Sequence, residues 1–286
     1  MKKPHTIKVI DTGKFTQRRG IGGSGWWIHG EAEAIAVNGR TTTLRKNNVE
    51  ISATAHLDAT NTGFTAKAIG VNNSKIRFRG EHLRIKADSR ATNSTAIGSL
   101  DSIINARGSE CKTIDIQSTS RVIKSRVSRD PAWGLKNSKV TTGSGNDHIR
   151  ITADAAYSDL YREFWRGGVL ENPLSIGLSD SHVNTGKGND TIEIIAKSDG
   201  ENIAGAHAIG IGSNSEIRTG RGNDKVKLSA KAIGVAPNAW AARDSKINTG
   251  SGDDIVELLA ETEQTKKGTD PAYALDKSTI KLGSGD

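Results

Sequence analysis

Apolar side chains in the carboxy-terminal half of the chain fall on alternate positions. Ile149, Ile151 and Ala153 form one such series, Ile192, Ile194 and Ala196 a second, and Val226, Leu228 and Ala230 a third. A period of two marks strands with one buried face. Two further extended pieces separate successive series. One ends in an Ile-Gly-like step: LSIGL at Leu174, AIGIG at Ala208 and AIGVA at Ala232. The other is a short Asn/Asp-Ser phrase: NSKV at Asn137, DSHV at Asp180, NSEI at Asn214 and DSKI at Asp244.

The same turn phrase precedes each alternating series. It reads TTGSGNDHIRITA from Thr141, NTGKGNDTIEIIA from Asn184, RTGRGNDKVKLSA from Arg218 and NTGSGDDIVELLA from Asn248, and KLGSGD begins another copy at Lys281. Its first glycines, Gly143, Gly186, Gly220, Gly250 and Gly283, are spaced by 43, 34, 30 and 33 residues. Residues 68–87, 96–116 and 41–53 repeat the strand grammar with a decayed turn. A three-strand unit of this size cannot bury its apolar face alone, but stacked units can. The expected fold is therefore all-β: a right-handed parallel β-helix or β-solenoid of about eight rungs, each roughly 30–43 residues long. A sandwich of antiparallel hairpins is the alternative, although hairpins have no need of one identical turn per period.

Three regions follow from this pattern. Residues 1–40, with Trp26 and Trp27, are expected to cap the first rung, because an open solenoid end presents unpaired strand edges. Residues 41–140 carry basic rungs with degenerate turns, and residues 141–286 carry rungs with the intact phrase. The insertion near 154–170 places Tyr157, Tyr161, Phe164 and Trp165 at helical spacing. A helix packed on the solenoid wall is expected there, with a partner-docking patch as the alternative.

Composition supports a narrow interior. Of 286 residues, 34% are hydrophobic and 4% aromatic, while glycine contributes 32, which suits small and β-branched side chains in a regular coil. The single cysteine, Cys111, excludes an internal disulfide framework. No apolar run is long enough to span a membrane, and no ordinary amino-terminal secretory signal is visible. The net charge of +8 is uneven. Residues 1–140 hold 24 Lys and Arg against 11 Asp and Glu, and residues 141–286 hold 16 against 21.

The turn phrase has the residue types of a cation site. Glycines let backbone carbonyls turn inward, aspartate adds charge, and Ca²⁺ takes six to eight such oxygens at about 2.3–2.6 Å. The phrase TGSGNDHIR from Thr142 and its copies differ at their first place from the calcium repeat Gly-Gly-x-Gly-x-Asp-x-apolar-x. It thus resembles the turns of the hemolysin-type, or repeats-in-toxin, family, over residues 141–286 only. The resemblance implies Ca²⁺ held between successive turns by Gly143, Gly145 and Asp147, Gly186, Gly188 and Asp190, Gly220, Gly222 and Asp224, Gly250, Gly252 and Asp254, and finally Asp286. Five stacked turns would hold at most four shared ions. The family's turns sit on much shorter units, so its compact two-sided roll is not expected here. The resemblance also implies export, with an extracellular or cell-surface location. The alternative is a turn closed without an ion, by a ladder of Asn146, Asn189 and Asn223.

Other features bear on partners. Arg77 and Arg79, then Arg84 and Lys86, share faces at period two, and more cations follow at Arg121, Lys124, Arg126 and Arg129. These suggest a surface for an acidic polysaccharide, lipopolysaccharide or acidic protein, or simply a solvated face. Aromatic side chains are not interleaved there, which argues against single-stranded nucleic acid. The seven histidines show no metal or catalytic spacing. A polysaccharide lyase would rest on fold analogy alone. The expectation is a non-catalytic, calcium-binding solenoid with a structural or adhesive role.

Overall fold

The computed structural model describes residues 6–11, 14–22, 25–57, 64–108, 110–123, 131–158, 174–200, 205–265 and 271–285. All regular structure among them is β. One coil shows the plan: Thr191–Asp199 lies in a first wall, His207–Gly212 in a second and Glu216–Arg221 in a third. Equivalent strands of successive coils pair in parallel, which builds walls of eight, nine and eight strands. From Asn48–His56 to Ile255–Gln264 the chain winds through about six turns of a parallel β-solenoid.

The amino-terminal edge departs from the coil. There Lys14–Gly22 pairs antiparallel with Gly25–Asn38, which in turn pairs parallel with Phe64–Asn72. The expected eight rungs are therefore not established as eight turns. The helical insertion is not seen either. Asp154, Ala155 and Ala156 continue the strand His148–Ser158 in register with Lys197, Ser198 and Asp199, so backbone pairing overrides the helical spacing at its start. The remainder, with Tyr161, Phe164 and Trp165, lies outside the described residues.

Register makes columns. Ile51, Ile85, Ile116, Ile151, Ile194 and Leu228 are paired in succession along the first wall and fully buried. Facing them on the second wall are Gly70, Gly98, Gly134 and Gly177. A Cβ at Gly134 would overlap Cγ2 of Ile151, and one at Gly177 would overlap Cγ2 of Ile194. Glycine at the second-wall Ile-Gly step thus leaves room for the branch of the facing isoleucine and for the carbonyl oxygen of the next coil. AIGVA at Ala232 is no such step. Its Ala232, Ile233 and Gly234 end the first-wall strand Lys225–Gly234, and the second-wall strand of that coil is Asn238–Arg243. Farther along, leucines at 228 and 258 lack that branch. The atoms nearest a Cβ at Gly210 are then backbone atoms of Ala241, and position 241 itself carries a methyl group.

The Asn/Asp-Ser phrase forms the corner between the second and third walls. Asn73, Asp101, Asn137, Asp180 and Asp244 all have positive φ, between 42° and 49°. Asn and Asp tolerate this region better than other side chains. The buried serine that follows clips one coil to the next. The Ser138 N–H donates to Oγ of Ser181, and the Ser181 N–H donates to Oγ of Ser215. Each hydroxyl spends its own proton on a carbonyl nearby, as Ser181 does on Ser179.

Candidate metal-binding column of turns

The Gly-x-Gly-Asn-Asp phrase joins the third wall to the first. His182–Lys187 and Glu216–Arg221 run into it, and Thr191–Asp199 and Lys225–Gly234 leave it. Gly188 and Gly222 hold φ of 119° and 129°, which a side chain resists. A Cβ at Gly220 would also overlap the Gly186 carbonyl oxygen, because the turns stack directly on one another.

Two files of side chains run along this stack. Asp147, Asp190 and Asp224 are 2%, 1% and 1% exposed, so they point into the coil. Each uses Oδ1 to accept a backbone N–H from the preceding turn: Lys112 to Asp147 at 2.7 Å, Asp147 to Asp190 at 2.8 Å, Asp190 to Asp224 at 2.8 Å, and Asp224 to Asp254 at 2.9 Å. The exposed asparagines clip in the opposite sense. Oδ1 of Asn146 accepts from the Asn189 N–H, Asn189 from Asn223, and Asn223 from Asp253. The amide ladder weighed from sequence is present, but its partners are backbone groups of the next turn rather than other amides.

The second carboxylate oxygen is left over in each turn. Oδ1 of Asp115 and of Asp154 on the first wall is left over as well, but those two carboxylates are each paired with an arginine. Oδ2 of Asp147, Asp190, Asp224 and Asp254 is buried and has no hydrogen-bond partner. The hydroxyls of Thr142, Thr185 and Thr219 lie beside the carboxylates. Their single protons go instead to the carbonyls of Thr185, Thr219 and Thr249. A buried carboxylate oxygen without a partner is costly. Burial accordingly raises the pKa of Asp147 and Asp224, and that of Asp190 to about 6, where its neighbours Asp224 and Asp147 add like-charge repulsion.

The file ends at its amino edge on a cation. Lys112 occupies the place of aspartate in the preceding turn, next to Thr113, which pairs with His148. Its side chain is 2% exposed, and Nζ lies 3.3 Å from Glu110. This ammonium pulls the Asp147 pKa down, against the larger effect of burial. Sequence reading missed Lys112 because the degenerate turn hid its register.

Among the described residues, no three His, Cys, Asp or Glu side chains converge as a cluster. The candidate column does not need such a cluster. Between successive turns it offers an unpartnered Oδ2 from each carboxylate, a hard oxygen of the kind Ca²⁺ takes. The structure stacks Gly143, Gly145 and Asp147 with Gly186, Gly188 and Asp190, with Gly220, Gly222 and Asp224, and with Gly250, Gly252 and Asp254. Asp286 lies outside the described residues.

The four cations singled out from sequence separate onto two walls. Arg77 lies in Lys75–Phe78 on the third wall, with Arg79 just beyond it. Arg84 and Lys86 lie in His82–Ala91 on the first. Arg84 is paired with Asp115 at 3.0 Å. Lys124, Arg126 and Arg129 fall outside the described residues. No helix is long and apolar enough to cross a membrane among the described residues. No protein-family model matches the chain, and neither a curated protein nor a solved structure is significantly similar to it.

Proposed function

We propose that the chain is a calcium-stabilised, non-catalytic β-solenoid with a structural or adhesive role in a secreted or surface protein. The observation that carries this reading is the file of three buried carboxylates and the half-buried Asp254, each with one buried, unpartnered oxygen. The likeness of the turn phrase to hemolysin-type repeats supports the same ion. Asp147, Asp190, Asp224 and Asp254 would hold it between turns. A bound divalent cation supplies positive charge that cancels repulsion along the file.

The chain's own part is to hold the oxygens in place. Glycine turns and backbone-to-Oδ1 clips fix each carboxylate, and the surrounding coil excludes water from Oδ2. An ion bound only by the folded coil stabilises it by mass action. Millimolar Ca²⁺ outside the cell then keeps the turns ordered, with the right-handed winding usual for parallel crossovers. Thermal unfolding in Ca²⁺ and in EGTA tests the reading. A midpoint several degrees higher in Ca²⁺ supports it, and coincident midpoints refute it.

A further inference from the structure

The walls differ in how they carry charge. Along the first wall, Glu50, Arg84, Asp115, Arg150, Glu193 and Lys227 stand in one paired column, and their signs alternate. Neighbours neutralise one another there, as in Arg84 with Asp115 at 3.0 Å and Arg150 with Glu193 at 3.4 Å. Such a wall presents little net field.

The third wall is different. One of its outward columns contains Lys75, Lys139, His182 and Lys246, and the next contains Arg77, Arg218 and Lys281. Glu216 is the one carboxylate in these two columns among the described residues, and it lies 2.8 Å from Arg218 and 3.7 Å from His182. Between Arg77 and Arg218 the second column holds Asn105, Thr141 and Asn184, and Asn248 stands between Arg218 and Lys281. A shallow hollow lined by Lys139, His182, Asn184, Glu216 and Arg218 opens on this face. Carboxylates at Asp101, Asp180 and Asp244 mark the corner beside it. Asp101 accepts from Asn137, and Asp244 lies 3.6 Å from Arg243.

We infer that the third wall binds a linear carboxylated polysaccharide laid along the coil axis. Equivalent positions recur at about 4.8 Å from turn to turn, a step comparable to one sugar in an extended chain. Cations meet the carboxylates, while the interleaved asparagine amides meet hydroxyls. A nucleic acid suits the face less well. No Trp, Tyr or Phe stands among the described outward positions of these columns to stack on bases. The strands of a duplex also wind away from a straight row of charges. The inference is independent of calcium in the turns.

The test is binding of polygalacturonate, with single-stranded and duplex DNA as competitors, at about 50 mM and about 200 mM salt. The variant Arg77→Gln, Lys139→Gln, Arg218→Gln, Lys246→Gln is compared with Arg84→Gln, Arg150→Gln, Lys227→Gln on the first wall. Both are checked for folding by circular dichroism, with single Lys139→Gln and Lys246→Gln variants in reserve. The expected result is salt-sensitive binding of polygalacturonate that falls about tenfold or more in the third-wall variant and little in the other. Absence of binding, equal loss in both variants, or tighter binding of DNA overturns the proposal.

Discussion

The backbone N–H of Asp147 donates a 2.8 Å hydrogen bond to Oδ1 of Asp190, 43 residues farther along the chain. One carboxylate oxygen thus ties two turns together while its twin stays buried and unpartnered. Repeated from Lys112 to Asp254, this relationship makes the turns both a clamp and a line of stored repulsion. The following expectations come from that double character and from the columns that surround it.

Replacing Asp190 with Asn separates the two roles. The amide oxygen can still accept the Asp147 N–H, and the amide nitrogen can donate where Oδ2 had no partner. In EGTA the variant is expected to be as stable as the parent or more so, since a buried charge is gone. In Ca²⁺ it is expected to lose about 3 kcal/mol, the usual cost of removing one member of a buried charged pair. Urea unfolding under both conditions measures the difference, and the change of sign is the diagnostic result.

The titration of the file gives a second expectation. Burial, then repulsion from Asp224 and Asp147, raises the Asp190 pKa from 3.8 to about 6 in the folded chain. The folded state therefore binds the proton more tightly than the unfolded state. Stability from this group is fully present below about pH 4 and is lost as pH rises through about 6. Asp147 and Asp224 shift in the same direction. In EGTA, the melting midpoint should rise as pH falls from 7 to about 5. Saturating Ca²⁺ should flatten or reverse that slope, because bound metal favours the ionised carboxylate.

Gly177→Ala tests the packing between the first and second walls. Its methyl would overlap Cγ2 of Ile194 and also the backbone carbonyl oxygen of Gly210, so a loss of about 1–3 kcal/mol is expected from overpacking. Adding Ile194→Leu removes the conflicting branch and should restore part of that loss. A double-mutant cycle on denaturant unfolding reads the coupling. Additive losses would mean that the two positions do not share a contact.

Ser181→Ala removes a fully buried hydroxyl that accepts the Ser138 N–H. The orphaned donor should cost about 1–3 kcal/mol. Amide hydrogen exchange at Ser138 should accelerate relative to Ile151 in the core. Protection unchanged at Ser138 would contradict the clip.

The solenoid was legible because its periods are backbone facts. Alternation at Ile149, Ile151 and Ala153 announced a strand, and five copies of one turn announced stacking. The Ile-Gly step and the Asn/Asp-Ser phrase were seen as strands, but their reasons were hidden. The glycine requirement depends on an isoleucine in the next coil, and the serine clip depends on an N–H some 34 to 43 residues away. The aspartate file was legible in position, whereas the use of Oδ1 on backbone and the isolation of Oδ2 depend on which way each carboxylate points. Charge was read by halves of the chain, yet the fold sorts it by wall. Arg84 therefore finds Asp115, a partner 31 residues distant. The aromatic insertion misled at its start because helical spacing within one segment carries no information about a neighbouring strand in register.

Metal content per chain, measured on protein purified gently in Ca²⁺ and desalted, tests the central claim most directly. Three gaps separate the turns of Asp147, Asp190, Asp224 and Asp254, and the expected result is about one Ca²⁺ for each gap. A folded chain carrying less than one Ca²⁺, with its circular dichroism unaltered by EGTA, would contradict it.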